Sequence, residues 1–561
     1  MSAPIHENER IKARSNCLRG TLRESLADTL TGAISPEDTQ ISKFHGFYQQ
    51  DHRDRRQARP EQYLEPYFGF MLRAPLPGGV CTPAQWLAID GMGRELGGGS
   101  LRLTTRQSFQ YHGILKRDIA SVIRGINAVM IDSIGGCGDV NRNVLCNPNP
   151  VESALHREVY DWAKRISEHL LPRTRAYHEI WLDGEQVGGG EDVEPIYGRT
   201  YLPRKFKTAV GVPPHNDVDV YANDLGFAAV ADGSRLIGFN VSAGGTGRNT
   251  GIPATFPRLA DVLGFVEPER TLAVAEAVVT TQRHFGDRLD RTQARLKYTI
   301  ERMGLDAFRD EVERRAGIRF APARPIGFTD QGDRTAWVRG QDGRWHLTLY
   351  IESGRLIDGP GQSSMQGLRE IARIHQGDFR ITPNQNLIVA RVPEPGKSEI
   401  EALARKYGLL DKGIALRLNG MSCVALPTCP LAMAEAERYY PDFLAQVERL
   451  TRKHGLAEQE IVTRMTGCPN GCARPYLAEL ALVGKGPGRY NLMLGGNGRR
   501  YRLNRLYREN LDEAAIAILA EIDTLLGRYA ACRQPGERFG DYLIRDGIVR
   551  PVVNPAEDFH E

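Results

Sequence analysis

The sequence predicts an α+β fold organised around an internal duplication. Two observations carry that prediction. Strand-like and helix-like periodicities alternate from about residue 70 to the C-terminus. A segment near residue 100 also recurs near residue 378 in matching register. The chain has 561 residues, and at roughly 150 residues per domain that length corresponds to three or four domains. Apolar residues make up 41% and charged residues 25%, an ordinary globular balance. A net charge of +4 is too small for this length to point to nucleic acid or an anionic membrane. No run of 18 apolar residues exists, so no membrane-spanning helix is expected. The start, MSAPIHENERIKARSN, has no apolar stretch or cleavage pattern of a signal peptide, so the expected location is cytoplasmic.

Taken in chain order, the first 70 or so residues are polar and rich in charge, with QQDHRDRRQARPEQ at 49–62, and read as a surface-wrapping arm. LRLTTRQSFQYHGI (101–114) and RWHLTLYIESG (344–354) read as strands. ESALHREVYDWAKRISEHLL (152–171) and TLAVAEAVVTTQRHFGD (271–287) repeat apolar residues at three- and four-residue steps and read as helices. The repeat sets GSLRLTTRQSF (99–109) against GDFRITPNQNL (377–387). Gly99, Arg102, Thr104 and Gln107 match Gly377, Arg380, Thr382 and Gln385 at an offset of 278. Pro150, Ala154 and Tyr160 extend the match to Pro430, Ala434 and Tyr440 at an offset of 280. Two such halves packed face to face create a crevice, a favoured place for a ligand.

Nine cysteines in a reducing compartment point to metal binding or catalysis rather than disulfides. Four of them form two pairs, Cys423-x5-Cys429 and Cys468-x3-Cys472, with Pro430 and Pro469 beside them. The five-residue gap is wide for a structural zinc knuckle. A four-thiolate [4Fe–4S] site fits the spacing better, with zinc and buried free thiols as the alternatives. Cys17, Cys81, Cys137, Cys146 and Cys532 are scattered and read as ordinary thiols. In the first half, YLPRKFKTAV (201–210) is expected to correspond to the Cys468 loop, and NRNVL (141–145) to the Cys423 segment. Those segments carry cations instead: Arg142, Arg204, Lys205 and Lys207. Lys205 and Lys207, two apart, share a face if the segment is extended. Thiolates facing cations across a crevice suit a small anionic substrate. Neither a G-x-G-x-x-G nor a G-x-x-x-x-G-K-[ST] motif occurs, so a redox enzyme of this sequence takes its electrons from another protein.

CVALPTCP (423–430) and TGCPNGCARP (466–475) resemble the paired cysteine signature of the sulfite and nitrite reductases that carry sirohaem and a [4Fe–4S] cluster. LRLTTRQSFQYHGILK, NRNVLCNPNP, SEHLLPRTRAYHEIWLD, TYLPRKFKT and GDFRITPNQNLI are similar to segments of the bacterial NADPH-type members, from about residue 45 onward. The resemblance implies paired ferredoxin-like halves at 74–135 and 336–410, after an arm at 1–73. It implies a first sirohaem and substrate α+β module at 136–335 and an iron–sulfur and sirohaem module at 411–561. It further implies that Cys423, Cys429, Cys468 and Cys472 hold the cluster, with Cys472 bridging to the sirohaem iron. Arg73, Arg142, Lys205 and Lys207 are then expected to face the substrate. Arg102, Arg106, Gln110 and His112, which alternation places on one face, are expected to contact the sirohaem carboxylates. The implied activity is the six-electron reduction of sulfite to sulfide in sulfate assimilation, with electrons from NADPH through a flavoprotein partner. The implied alternative is a ferredoxin-dependent sulfite or nitrite reductase.

Overall fold

The computed structural model describes residues 4–148, 153–173, 180–182, 185–188, 193–246, 251–334, 336–410, 415–497, 501–512 and 517–560. Pro150, one of the repeat matches, lies outside the described residues.

Two mixed-origin sheets form the centre. One runs Phe47–Asp51, Phe68–Pro75, Ser108–Ile114, Ser100–Leu103, Arg355–Gly359 and Gln362–Ser363. The other runs Trp337–Arg339, Trp345–Leu349, Leu387–Val392, Asp378–Ile381 and Val80–Cys81. Each half lends a strand to the other: Arg355–Gly359 pairs antiparallel with Ser100–Leu103, and Val80–Cys81 with Asp378–Ile381. Helix Pro83–Glu95 starts on a capping box between Thr82 and Gln85 and buries Trp86 and Ile89. The Trp86 ring lies 5.5 Å from Phe109 of its own half and 4.8 Å from Phe379 of the other, so the two halves share one core. Phe47–Asp51 and Phe68–Pro75 are strands of this core, and Ile11, Leu18, Leu22, Ile34, Ile41 and Phe44 are buried in it, which corrects the reading of the first 70 residues as a surface-wrapping arm.

The 278-residue repeat is real in three dimensions. Gln107 and Gln385 both sit in left-handed turns, with φ of 50° and 72°. Each side chain bonds across the pseudo-twofold axis: Gln107 Nε2 donates to Ile381 O at 3.0 Å, and Gln385 Nε2 to Leu103 O at 3.5 Å. Their Oε1 atoms accept from the backbone N–H of Cys146 (2.9 Å) and Ser422 (3.1 Å).

Those last two residues open the outer modules, which are also related. The first has strands in the order Leu145–Cys146, Thr208–Gly211, Leu225–Asp232, Arg235–Ala243 and Asp261–Val266. The second repeats that order and strand direction with Met421–Ser422, Thr463–Thr466, Leu480–Gly486, Arg489–Leu494 and Arg505–Asp512. The first three strands of each are parallel and the last two antiparallel. Leu225 pairs with Thr208, and Leu480 with Thr463, so the offset here is 255. This register corrects three sequence readings. The 280-residue match fails: Ala154 opens a helix, whereas Ala434 lies in a loop and the corresponding helix opens at Tyr440. The equivalent of the Cys468 loop is the segment after Gly211, not 201–210. Cys423 falls opposite Asn147, not within 141–145. Insertions between strands of unequal length broke the register that a single offset assumed.

Candidate redox centre

Both thiol loops leave the C-terminal ends of adjacent parallel strands, Met421–Ser422 and Thr463–Thr466, so chain direction alone delivers them to one edge. Gly467 is required there: a Cβ would stand 2.5 Å from Ala434 O and 2.6 Å from the Ala425 Cβ. Its N–H donates to Cys423 Sγ at 3.3 Å, and Asn470 Nδ2 donates to Cys468 Sγ at 3.5 Å. Cys472, Cys468 and Cys429 all act electrostatically on Cys423. Burial first, and then the charge of Cys472, push the Cys429 thiol up to about 12 and Cys423 well above its ordinary value. Thiols raised in this way stay protonated until a cationic group replaces their protons, as for Cys423 and Cys429. Four thiols gathered at one edge, with N–H donors aimed at sulfur, fit an iron–sulfur group. In the first module the places of Cys423 and Cys472 are taken by Asn147 and Asp217, joined by a 3.0 Å hydrogen bond.

Across the crevice, strand register lines up a polar row. Arg73 pairs with Gln110, Gln110 with Arg102, and Arg102 with Arg355. Arg73 donates to Gly136 O at 2.9 Å and to Gln110 Oε1 at 3.4 Å. Arg102 donates to Ser422 O at 3.1 Å and to Glu437 at 2.7 Å, and Arg355 holds the other oxygen of Glu437 at 2.6 Å. His112 is buried, bonded through Nδ1 to Gln50 Oε1 at 3.1 Å. Burial, then the charges of Arg355, Arg102 and Arg73, keep it neutral. Among the described residues His112 Nε2 and Gln50 Nε2 are buried without a hydrogen-bond partner, which leaves both available to a bound group. Arg106 departs from the expected face. It lies in the turn between Ser100–Leu103 and Ser108–Ile114, and its guanidinium donates to Asn143 O, Thr208 O and Asn223 Oδ1 at 2.6–3.0 Å. Only its Nε is left over.

Arg142 donates to Gly136 O at 2.9 Å and through two nitrogens to Gly138 O, so one glycine-rich loop positions both Arg73 and Arg142. Burial lowers Arg142 to about 10, which leaves it charged at neutral pH. Lys205 and Lys207 precede strand Thr208–Gly211 and flank Phe206, which is buried and bridged to Asn141. The extended backbone puts both lysines on the side away from Phe206. Burial, then Arg106 and Arg295, hold the Lys207 ammonium well below its ordinary pKa, while the charge of Cys472 opposes them.

Sequence reading missed several residues here. Cys137, expected to be an ordinary thiol, lies 3.6 Å from Arg73 Nη1. The arm supplies Lys43, lowered to about 8 chiefly by burial and facing Asp139, Arg291 and Arg204. Tyr48 feels Arg73, Cys137, Cys429 and Cys472 at once. No local motif marks these side chains; strand pairing brings them in.

Comparison with known proteins places the chain. Residues 161–320 match the nitrite and sulphite reductase 4Fe-4S domain, and residues 66–129 and 338–408 match the nitrite/sulfite reductase ferredoxin-like half domain. The chain belongs to the nitrite and sulfite reductase family. Its relatives include the sulfite reductase [NADPH] hemoprotein beta-component of Shewanella sp. (strain ANA-3), 58% identical over 99% of this chain and 98% of that one. The protein of the same description from Shewanella piezotolerans is 59% identical over the same shares. A solved structure of the Mycobacterium tuberculosis NirA protein shares the fold, with a TM-score of 0.79 over 97% of this chain and 96% of that one at 23% identity. Among the described residues no helix is long and apolar enough to cross a membrane.

Proposed function

We propose that this chain is the haemoprotein component of an NADPH-type assimilatory sulfite reductase, reducing sulfite to sulfide with six electrons. The observation that carries this reading is the meeting of four thiols with a cationic wall in one crevice, where Lys207 faces Cys472 and Arg102 faces Cys423. Cys423, Cys429, Cys468 and Cys472 would hold a [4Fe–4S] cluster, with Cys472 shared with a sirohaem. Arg102, Gln110 and His112 would line the sirohaem, and Arg106 would contribute its remaining Nε. Together these groups supply single electrons at a coordinating iron. The chain's own residues do the rest. Arg73 and Arg142, fixed by Gly136 and Gly138, bind the sulfite oxygens by charge-assisted hydrogen bonds. Lys205 and Lys207 complete the anion site, and the lowered pKa of Lys207 makes it the readier proton donor as oxygen leaves as water.

The electron donor is a flavoprotein partner, as the bracketed NADPH and beta-component in the relatives' names support. A cytoplasmic location is in keeping with this reading, because thiols that bind a cluster must stay reduced. The test is the visible spectrum, iron and acid-labile sulfide content of the purified chain, with sulfide production from sulfite and a reduced viologen. A chlorin-type spectrum with four cluster irons and viologen-driven sulfide is expected. A chain reconstituted with iron, sulfide and sirohaem that shows neither the spectrum nor activity overturns the reading.

A further inference from the structure

The two outer modules place Asp219 and Arg474 at equivalent positions, 255 residues apart. Both adopt the left-handed conformation, with φ of 49° and 51°, and each precedes a short 3-10 turn, Val220–Ala222 and Pro475–Leu477. These two symmetry-related residues are ion-paired with each other, Arg474 Nε to Asp219 Oδ2. Arg464 joins them, 3.0 Å from the same oxygen, and also donates to Arg474 O at 2.8 Å. The side chains of Arg464, Asp219 and Arg474 are 0%, 0% and 5% exposed. The rest of the Arg474 fork reaches both ferredoxin-like halves: Nη1 donates to Thr105 O at 2.9 Å and Nη2 to Pro383 O at 3.3 Å. Thr105 and Pro383 are themselves equivalent, at the offset of 278 that relates the halves. Arg474 therefore lies on the pseudo-twofold axis and touches all four repeated units. Thr105 closes the circuit, because its hydroxyl donates to Cys472 O at 3.3 Å.

We infer that Arg474, clamped by Asp219, is a positioning residue that fixes Cys472 against the cofactor cradle, and that the Arg464–Asp219–Arg474 trio tunes the reduction potential of the cluster. This rests on the reading of Cys472 as the shared ligand. Two guanidiniums against one carboxylate carry an excess positive charge in a dry interior, where charge is weakly screened. A cluster that gains an electron beside that charge is stabilised in its reduced form. The planar fork holds the two backbone carbonyls in fixed directions, as a lysine cannot. Charge and geometry thus predict separable effects.

The experiment measures, on the cofactor-loaded chain, the cluster midpoint potential and the magnetic coupling between cluster and haem. Asp219→Asn removes the negative charge and is expected to shift the potential positive. Arg474→Met is expected to shift it negative and weaken the coupling. Arg474→Lys keeps the charge and is expected to hold the potential while weakening the coupling. Thr105→Val, at a half-buried site that changes no charge, is expected to alter the coupling alone. It keeps the test open where a variant of the buried trio does not fold. A purely structural trio would lower thermal stability and leave both redox readouts in place. Cluster-loaded Asp219→Asn and Arg474→Met with the unaltered potential, or Arg474→Lys and Thr105→Val with unaltered coupling, would overturn the inference. A reconstituted wild-type chain without a cluster would instead overturn the functional reading beneath it.

Discussion

At the scale of single residues, the crevice is a place where burial decides protonation. Lys207 is held well below its ordinary pKa by burial among arginines, so its ammonium gives up a proton more easily than an exposed lysine does. Lys207→Met is expected to keep the cofactor spectrum and lower sulfite turnover by about 10²-fold, the scale of losing a proton donor or a charge partner. Steady-state kinetics beside the absorption spectrum checks this, and a normal rate would show that the Lys207 ammonium takes no part in turnover. Asp333 shows the opposite displacement. Burial raises its carboxyl to about 7, against hydrogen bonds from Thr382 and Asn386, each at 2.6 Å. The folded chain therefore holds a proton that the unfolded chain releases near pH 4. Stability from this group is complete below about pH 4 and is lost as the pH rises to about 7, by about 4 kcal/mol. Asp333→Asn is expected to remove that slope. Denaturant unfolding at pH 5 and pH 8 measures it, and equal pH dependence in the two proteins would show the carboxyl to be ionised throughout.

At the scale of elements, the turns at Gln107 and Gln385 matter more than their length indicates. Gln107 alone donates to Gly78 O, Cys146 O and Ile381 O and accepts from Cys146 N–H, tying one ferredoxin-like half to the other and to the first module. Gln107→Ala leaves a buried N–H and three carbonyls without that partner and is expected to destabilise by about 3 kcal/mol. Gln385→Ala is expected to cost a similar amount, because the pseudo-twofold gives it the corresponding role. Denaturant midpoints compare the two, and a neutral Gln107→Ala would mean that water replaces the amide. The strand LRLTTRQSFQYHGI was legible from its alternation, and the polar row through Gln110 and Arg102 follows from it. Arg106 was misplaced for the same reason: alternation continues on paper through a turn that interrupts it in space. The arm was misjudged because Phe47–Asp51 carries polar residues, and only pairing with Phe68–Pro75 makes it a strand.

At the scale of the whole molecule, four related units surround the thiols and the cations, and the proposed function leaves electron supply to another protein. The isolated, cofactor-loaded chain is expected to reduce sulfite with a strong one-electron donor and to leave NADPH unoxidised. Adding a flavoprotein partner is expected to restore NADPH dependence. Paired assays on the single chain check this, and rapid NADPH-driven sulfide formation by the chain alone would reveal a nicotinamide or flavin site within it.

The sequence by itself determined the α+β class, the duplication of the inner halves, the four clustered cysteines and the cations expected to oppose them. Each is written in local spacing or in identities that survive at one offset. Only the tertiary structure decided the equivalence of the outer modules, the partners of Arg102 and Arg106, and the entry of Lys43, Tyr48 and Cys137 into the crevice. Unequal insertions erase register along the chain while leaving strand order intact, so topology preserves what alignment loses. The pair at the axis shows the deeper limit. Charged residues that meet across a twofold must be complementary rather than alike, so Asp219 and Arg474 correspond because they differ. A search for identity passes over such a pair, and only their contact reveals it.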